Sequence, residues 1–224
     1  MLEELAKCSL FTGLDFEELK KCLVCSGARH QFYKAGQIVF EENDMPKYIY
    51  VLVKGKIALC KDSFGGRRNL ATTFEVPGEM FGEAYAFLDH HTYDYYTVAV
   101  EDSELYEIPK IFLSHTCTKS CGYHERVIYN MIHILAEKNF NLNRKLQVLA
   151  ANGLRQKIAM MLLRMYTGEE EMQLGMNREE LADYLGTARP SLSRELMKMK
   201  EEGLIDIKGK KIRILNKEGL ENCL

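Results

Sequence analysis

The segment Met176–Gly203 constrains the fold of this chain more than any other, because it predicts a helix, a tight turn and a second helix. Asn177 is a favourable N-cap residue, and Glu180 follows it three positions later, as in a capping box. Leu181 and Leu185 then fall on one face of the first predicted helix.

The second predicted helix begins after the turn Gly186–Ala188, where glycine supplies a backbone conformation that other residues resist. Pro190 falls in its first turn, where a proline removes no helical hydrogen bond. Its polar side chains are Arg189, Ser191, Ser193, Arg194 and Lys198. A helix with guanidinium groups and short hydroxyls on its polar side is suited to the major groove of DNA.

Two strand-like runs follow this helix pair. Leu204–Ile207 and Lys211–Ile214 flank Lys208, Gly209 and Lys210, a sequence typical of a hairpin turn. A β-hairpin in this position is a wing, and its basic tip suits a DNA phosphate. The helix pair alone is also compatible with an ordinary helical hairpin whose basic face is solvated; the added wing favours a DNA-binding domain.

The composition places few further limits on function. The chain has 224 residues, of which 46% are hydrophobic, enough for one large or two modest domains. No run reaches transmembrane length and the N-terminus is acidic, so we expect a cytoplasmic protein with no membrane partner. Residues 1–118 carry 12 basic and 18 acidic side chains, and residues 119–224 carry 18 and 14, so the basic excess falls where DNA binding is predicted.

The first half of the chain predicts β-structure. After a helix near Phe16–Cys25, short strand-like segments are separated by glycines and turn residues. The strand-like segments are Ile38–Phe40, Ile49–Val53, Ile57–Lys61 and Tyr95–Val100. Many short strands at this spacing are typical of a sandwich or a jelly-roll-like barrel.

A long helix is predicted from about Tyr123 to Leu149, between the two halves. Its heptad positions are Ile128, Ile132, Leu135, Asn139, Leu142, Leu146 and Leu149. A seam of this length, with one asparagine at an a-type position, favours a parallel homodimer. The alternative is an amphipathic helix that packs on its own domain.

The order of barrel, long helix and winged helix resembles the Crp/Fnr family of bacterial transcription regulators. The resemblance covers nearly the whole chain and is carried by SLFTGLDFEEL, FYKAGQIVFEENDMPKYIYVLVKGKIAL, VPGEMFGEAYAF and VAVEDSELYEIPK, together with the helix pair and wing. It implies an α+β fold in three parts. These are an effector-sensing, cyclic-nucleotide-binding-like β jelly-roll with flanking helices (residues 1–118), a dimerisation helix (119–150) and a winged helix-turn-helix domain (151–224).

Members of this family that bind cyclic AMP hold its phosphate with an arginine in a short cassette. Gly82 and Glu83 match the start of that cassette, but the arginine position falls on Tyr93 and its hydroxyl neighbour on Asp94. Residues 82–100 contain neither arginine nor lysine. A tyrosine offers no positive charge or bidentate fork, and Asp94 repels an anion. Leu142 and Asn143 stand where cyclic-AMP binders contact the base, so cyclic AMP is a poor candidate and the effector is unknown.

The sequence contains weaker indications of other effectors. Six aromatic residues crowd the cassette: Phe81, Tyr85, Phe87, Tyr93, Tyr95 and Tyr96. They are compatible with a planar or apolar effector and equally with a packed barrel core. His90 and His91 could ligate a haem iron, although exposed loop histidines are far commoner than haem ligands.

The seven cysteines, in a chain without a secretory signal, favour reduced thiols. Cys22, Cys25, Cys117 and Cys121 could supply four ligands to an iron–sulfur cluster, but their spacing differs from that of the oxygen-sensing branch of the family. Buried free cysteines are the favoured interpretation. A thiol redox switch is the alternative.

The resemblance also assigns roles in DNA recognition. We expect Arg194 to read a guanine, Ser191 and Ser193 to contact bases or phosphates, and Arg189 to do either. We also expect the backbone to be contacted by Thr187, Lys198, Lys208 and Lys210. Pro190 replaces a glutamate that other members carry, so the half-site of this chain should differ from theirs at one position.

The leading hypothesis is a homodimeric transcription regulator that binds double-stranded DNA at palindromic half-sites, contacts RNA polymerase and responds to a small molecule or redox signal other than cyclic AMP. The sequence leaves three alternatives to consider. The barrel could be a scaffold without an effector, the chain could be a regulatory module of an enzyme or channel, or it could be an enzyme. The winged helix argues against the second, and the lack of a nucleophile or metal motif in the sequence argues against the third.

Overall fold

The computed structural model describes residues 2–63, 68–114, 121–168 and 171–224. Contacts within the chain divide it after Glu137 into two compact units, which are described separately below. Cys117 and the predicted boundary between residues 118 and 119 lie outside the described residues. Within those ranges, no helix combines the length and apolar character needed to span a membrane.

The first unit contains two four-stranded antiparallel sheets. Its strands are β1 Arg29–Tyr33, β2 Ile38–Phe40, β3 Tyr48–Lys54, β4 Ile57–Asp62, β5 Arg68–Phe74, β6 Met80–Phe81, β7 Tyr96–Ala99 and β8 Ser103–Pro109. One sheet has the order β1-β8-β3-β6 and the other β2-β7-β4-β5. The predicted β-rich N-terminal domain is therefore confirmed.

The β3–β4 turn requires glycine. Gly55 has φ 98°, and a Cβ atom built on it would lie 2.3 Å from the Ser103 Oγ atom and 2.7 Å from the Ser103 Cα atom. The second distance involves backbone that cannot move aside, so any side chain at this position would force the strands apart.

Helices pack against the β1-β8-β3-β6 sheet. They are α1 Leu2–Leu5, α2 Phe16–Ser26, α3 Glu83–Ala86, α4 Ile111–Ser114 and α5 Gly122–Leu149. Asp15 caps α2 in a capping box with Glu18, as local sequence chemistry favours. The first half of α5 buries Val127, Met131 and Ile134 in the same apolar cluster as β3 and β8. This face anchors α5 to the β-domain.

The second unit begins within α5, at Lys138. Its further elements are α6 Leu154–Met165, β9 Met172–Gln173, α7 Arg178–Tyr184, α8 Arg189–Glu201, β10 Ile205–Lys208, β11 Lys211–Ile214 and α9 Lys217–Glu221. The strands form one sheet in the order β10-β11-β9. The long helix and the C-terminal helix pair with its hairpin are thus found where the sequence predicted them.

Candidate DNA-binding surface and effector cassette

The pair α7–α8 is held by a small apolar core. Leu181, Leu185, Leu192 and Leu196 are each at most 2% exposed. The Asn177 side chain accepts hydrogen bonds from the amides of Glu179 and Glu180, which fixes the start of α7. This packing leaves the opposite side of α8 facing outward.

The outward side of α8 carries the predicted DNA-reading residues. Ser191, Arg194 and Lys198 are spaced i, i+3, i+7 and lie along one stripe. Arg194 is exposed, and its only printed partners in the described chain are the Pro190 carbonyl at 3.4 Å and the Ser191 hydroxyl at 3.5 Å. Both contacts are long and neutral, so the guanidinium is available to a base edge.

Arg189 lies at the start of α8 and is also exposed. Its NH1 atom is 3.3 Å from the Glu179 Oε2 atom, a solvent-exposed ion pair that DNA phosphate can displace at small cost. Thr187 and Ser193 are half-buried beside it. The Thr187 amide donates to the Ala182 carbonyl at 2.9 Å, which fixes the turn between the two helices.

The predicted wing is the β10–β11 hairpin. Ile205 pairs with Ile214 and Lys208 with Lys211. Gly209 turns the chain with φ 62°, and Lys208 and Lys210 are exposed at the tip. Two ammonium groups therefore stand at the end of a short, rigid ribbon, where they suit phosphate rather than a specific base.

Sequence reasoning missed Arg178. This residue lines a groove of about 650 Å³ that also contains Arg189, Glu179 and Lys210, between the starts of α7 and α8 and the wing. Its NH1 atom is buried and has no hydrogen-bond partner in the described chain, and burial lowers the pKa of the guanidinium. The only sequence signal was a basic residue directly after an N-cap, which is too common to be informative.

The cassette residues lie together in the first unit. Gly82, with φ 81°, is the N-cap of α3, and Glu83 opens that helix while only 5% exposed. Tyr93 and Asp94 follow in the loop before β7, where the Tyr85 hydroxyl donates to Asp94 at 3.4 Å. Leu142 and Asn143, the other two predicted pocket residues, belong to the second unit.

Tyr93 is part of the barrel core. It is 2% exposed, its ring lies on the ring of Phe40 with centroids 3.7 Å apart, and Tyr85 meets its edge. Burial raises the pKa of its hydroxyl, and the nearby charges of Asp44 and Glu83 act in the same direction. An acidic, aromatic environment of this kind disfavours an anionic ligand.

The six crowded aromatics have different surroundings. Phe81 stacks on Tyr50 at 5.1 Å and on Phe74 at 4.8 Å, and these rings fill the barrel interior with Phe40 and Tyr93. Tyr95 and Tyr96 instead contact the basic side chains of Lys61 and Arg68. Phe87 is 39% exposed. The six aromatics therefore do not converge on one surface.

The histidines and cysteines do not assemble a metal site in the described part of the chain. His90 and His91 are exposed, and no group of three or more His, Cys, Asp or Glu side chains is placed to hold a metal ion there. Cys22 is buried, Cys25 exposed and Cys121 half-buried. Burial raises the pKa of Cys22 to about 12, so its ligating thiolate form is disfavoured.

The predicted dimer seam has an exposed centre. Ile132, Leu142 and Leu146 are 61–62% exposed. Asn139 is exposed between them and accepts a hydrogen bond from the Asn143 amide at 3.1 Å. Ile128 and Leu135 are half-buried against the β-domain core, and Leu149 is half-buried in the second unit. Three of the seven seam residues are therefore half-buried by the chain itself, and the other four are exposed.

Comparison with known proteins assigns both ends of the chain. Residues 30–120 match the cyclic nucleotide-binding domain family, and residues 156–223 match the Crp-like helix-turn-helix domain family. The chain belongs to the Crp/Fnr family. It is a DNA-binding transcription regulator of the Crp/Fnr type.

Relatives of this Crp/Fnr regulator span its length. The cyclic AMP receptor protein of Thermus thermophilus is 29% identical over 197 residues, which are 88% of this chain and 87% of that protein. The transcriptional activator FnrA of Stutzerimonas stutzeri is 23% identical, over 84% and 77%. The crystal structure of the Thermus thermophilus catabolite activator protein is 28% identical, with a TM-score of 0.54 over 96% of this chain and 97% of that one. These relatives carry the names of regulators rather than of enzymes.

Proposed function

We propose that this Crp/Fnr regulator acts as a parallel homodimer, binds paired DNA half-sites and is controlled by an effector other than cyclic AMP. The proposal that the effector is not cyclic AMP rests on the burial of Tyr93 against Phe40 in the cassette. Family members that bind cyclic AMP have a phosphate-binding arginine at this position. This chain has the neutral ring of Tyr93 in its core instead, followed by the carboxylate of Asp94.

Two features of α5 support the homodimer. Ile132, Leu142 and Leu146 form an apolar stripe that no described part of the chain covers, and such stripes on helices are partner surfaces. Asn139 at the centre of the stripe gives a parallel pair a fixed register. Two recognition helices brought together in this way can read half-sites about one DNA turn apart.

The DNA-binding residues divide by chemistry. We assign direct base reading to Arg194, with Arg189, Ser191 and Ser193 at bases or nearby phosphates. We assign backbone contacts to Thr187, Lys198, Lys208, Lys210 and, in addition, Arg178. One Nη atom of Arg178 is buried and has no hydrogen-bond partner among the described residues, which favours that addition, because a phosphate would supply an acceptor.

We propose one role for each predicted domain. Residues 1–118 sense the effector, residues 119–150 join two protomers and residues 151–224 bind DNA. RNA polymerase is the proposed downstream partner, on the strength of the family, and the cytoplasm the proposed compartment.

The experiment that tests this proposal is selection of binding sites from random duplexes, followed by sedimentation of the complex. Two protomers on a palindromic duplex, with affinity unchanged by cyclic AMP, is the expected result. Binding of one protomer to a single half-site would contradict the proposed homodimer. Tighter binding in the presence of cyclic AMP contradicts the effector assignment.

A second candidate keeps DNA binding and removes the effector. The filled aromatic interior of the barrel favours it, because a core packed with Phe40, Tyr50, Phe81 and Tyr93 suits a rigid scaffold. Native mass spectrometry of the purified protein, recorded without oxygen, separates the two. Extra mass on the dimer identifies a bound effector or cofactor, whereas a bare dimer that binds DNA supports the scaffold.

A further inference from the structure

The second unit contains a cavity of about 580 Å³ between the C-terminal half of α5 and the helices α6 and α7. One wall is apolar. Val148 and Met161 are almost completely buried there, and Met165 and Met176 are half-buried. Methionine side chains adapt to the shape of an alkyl chain, and a cavity of this size suits a small molecule.

The rim of this cavity is basic. Lys138, Arg144, Lys145 and Arg164 line it, and none of the described residues that line it is an aspartate or a glutamate. The Lys145 Nζ atom stands 5.3 Å from the centre of the Tyr184 ring, which orients this ammonium group by a cation–π contact. The cavity therefore combines an apolar wall with concentrated positive charge.

Arg144 and Arg164 hold each other beside the cavity. The Arg164 NH1 atom donates to the Arg144 carbonyl at 2.8 Å, and the Arg144 NH2 atom donates to the Arg164 carbonyl at 3.3 Å. Arg164 also donates to the Gln147 side-chain oxygen at 2.5 Å. All these acceptors are neutral, so among the described residues neither guanidinium has a carboxylate partner. An anion in the cavity that both residues line would supply the charged acceptor that the described residues do not provide.

We infer that this cavity binds an anionic amphiphile with a single alkyl chain, its head group on Arg144 and Arg164 and its chain against Met161 and Met165. An anionic amphiphile fits both the basic rim and the apolar wall of the cavity. A purely polar anion would leave the methionine wall without a contact. A neutral lipid would leave the two guanidiniums without a counter-ion among the described residues.

The position of the cavity gives the ligand a route to DNA binding. Tyr184 is the last residue of α7, the first helix of the DNA-binding pair, and it lines the same cavity as Leu142 of the dimer stripe. A ligand seated there contacts both helices, and it shifts the protein toward whichever arrangement binds it better. This consequence rests on the proposed effector control, whereas binding itself does not.

Isothermal titration calorimetry of the full-length protein tests the inference. The probes are decanoate, decyl phosphate and decanol, each below its critical micelle concentration. Decanoate or decyl phosphate should bind at least about tenfold more tightly than decanol, and the tighter of the two identifies the head group. Equal binding of all three, or no binding of either anion, overturns the inference.

Variants locate the site. Arg164→Gln should weaken binding of the anion by at least about tenfold, and Arg164→Lys should recover part of the loss because it restores charge without the fork. Lys217→Gln removes the same charge from α9, outside the cavity, and should leave binding unchanged. Unchanged thermal melting confirms that each variant folds. If Arg164→Lys behaves like Arg164→Gln while melting is unchanged, the charge-based site is wrong.

A second copy of the chain is the rival occupant. If Arg164→Gln weakens dimerisation and decanoate binds only to monomer, the cavity is a protein interface and the inference fails. DNA titrations with and without decanoate keep the two proposals apart. Ligand binding that leaves DNA affinity unchanged supports the cavity and removes its regulatory role, and loss of DNA binding in the unliganded protein concerns the proposed function alone.

Discussion

The ring of Tyr93 lies on the ring of Phe40, with centroids 3.7 Å apart and planes 15° from parallel. Phe40 is the last residue of β2, and Tyr93 lies in the cassette loop before β7, so this contact closes the loop onto the barrel. The Asn43 amide donates to the Tyr93 carbonyl at 2.8 Å and strengthens the closure. A position that could have held a ligand-binding side chain is thus part of the packed core.

Tyr93→Ala should lower the free energy of unfolding by about 3–5 kcal/mol, because it removes a large buried ring and leaves a cavity. Urea denaturation followed by circular dichroism measures the change. Tyr95→Ala, two residues along and half-buried, is the matched control and should cost less. Equal losses in the two variants would show that Tyr93 is not a core residue.

Tyr93→Phe should not lower the free energy of unfolding in the way that Tyr93→Ala does. The Tyr93 hydroxyl is buried without a hydrogen bond of regular geometry in the described chain. Its removal should therefore leave the free energy of unfolding within about 1 kcal/mol of the parent, or raise it. The same denaturation experiment applies, and a large loss of stability would reveal a hydrogen bond or ligand at that hydroxyl.

Arg155 links α6 to the C-terminal end of α8, the helix that we propose reads the DNA bases. It donates to Glu202 at 2.7 and 2.8 Å and to Glu195 at 2.6 Å, and the Arg155 guanidinium holds the pKa of Glu202 below its ordinary value. A depressed carboxylate pKa contributes stability above the unfolded-state pKa and loses it as the pH falls through the folded-state pKa.

Arg155→Gln should therefore lower the free energy of unfolding near neutral pH, and the difference from the parent should shrink in acid. Urea titrations at about pH 7 and about pH 3 measure this difference. Lys217→Gln, which removes an exposed i,i+4 pair with Glu221, is the control and should show little effect at either pH. A difference that does not change with pH refutes the electrostatic explanation.

Arg194→Ala should weaken binding to the selected duplex by about 1–3 kcal/mol and relax preference at one base pair. Lys210→Ala should weaken all duplexes alike and lower the slope of log affinity against log salt by about one. Fluorescence anisotropy over a salt series, on the selected site and on single-base variants, distinguishes the two. A uniform loss in Arg194→Ala would make this residue a phosphate contact.

Leu146→Asp should dissociate the dimer, because it places a charge in the exposed apolar stripe of α5. The dimer dissociation constant, from sedimentation equilibrium, should rise at least about tenfold. Val24→Asp alters a residue of α2 that is 83% exposed and should leave association unchanged. An unaffected dimer in Leu146→Asp would move the interface away from this stripe.

Features determined by neighbouring residues were predictable from the sequence. The capping box of Asn177 and Glu180 is observed with both hydrogen bonds, and Gly186 adopts φ 62° in the turn between α7 and α8. Each depends on a few adjacent positions, so periodicity and turn chemistry suffice to predict it. The two strand layers were predictable as a class for the same reason, because glycines and turn residues mark the ends of their short strands.

Features that depend on distant residues were not predictable. The contact of Tyr93 with Phe40 joins a loop to a distant strand, and the reciprocal bonds of Arg144 and Arg164 join residues 20 positions apart on two helices. The heptad pattern gave Ile128 and Leu135 to the dimer seam, although the same spacing also lets them pack on the barrel core. Periodicity identifies an apolar face without saying which partner covers it.

The most direct test of the account is a titration of a selected palindromic duplex with the purified protein, by fluorescence anisotropy, in the presence and absence of cyclic AMP. The account predicts two protomers per duplex and the same dissociation constant in both conditions. A dissociation constant about tenfold lower with cyclic AMP would mean that the cassette holds the nucleotide despite the buried Tyr93, and it would contradict the central claim.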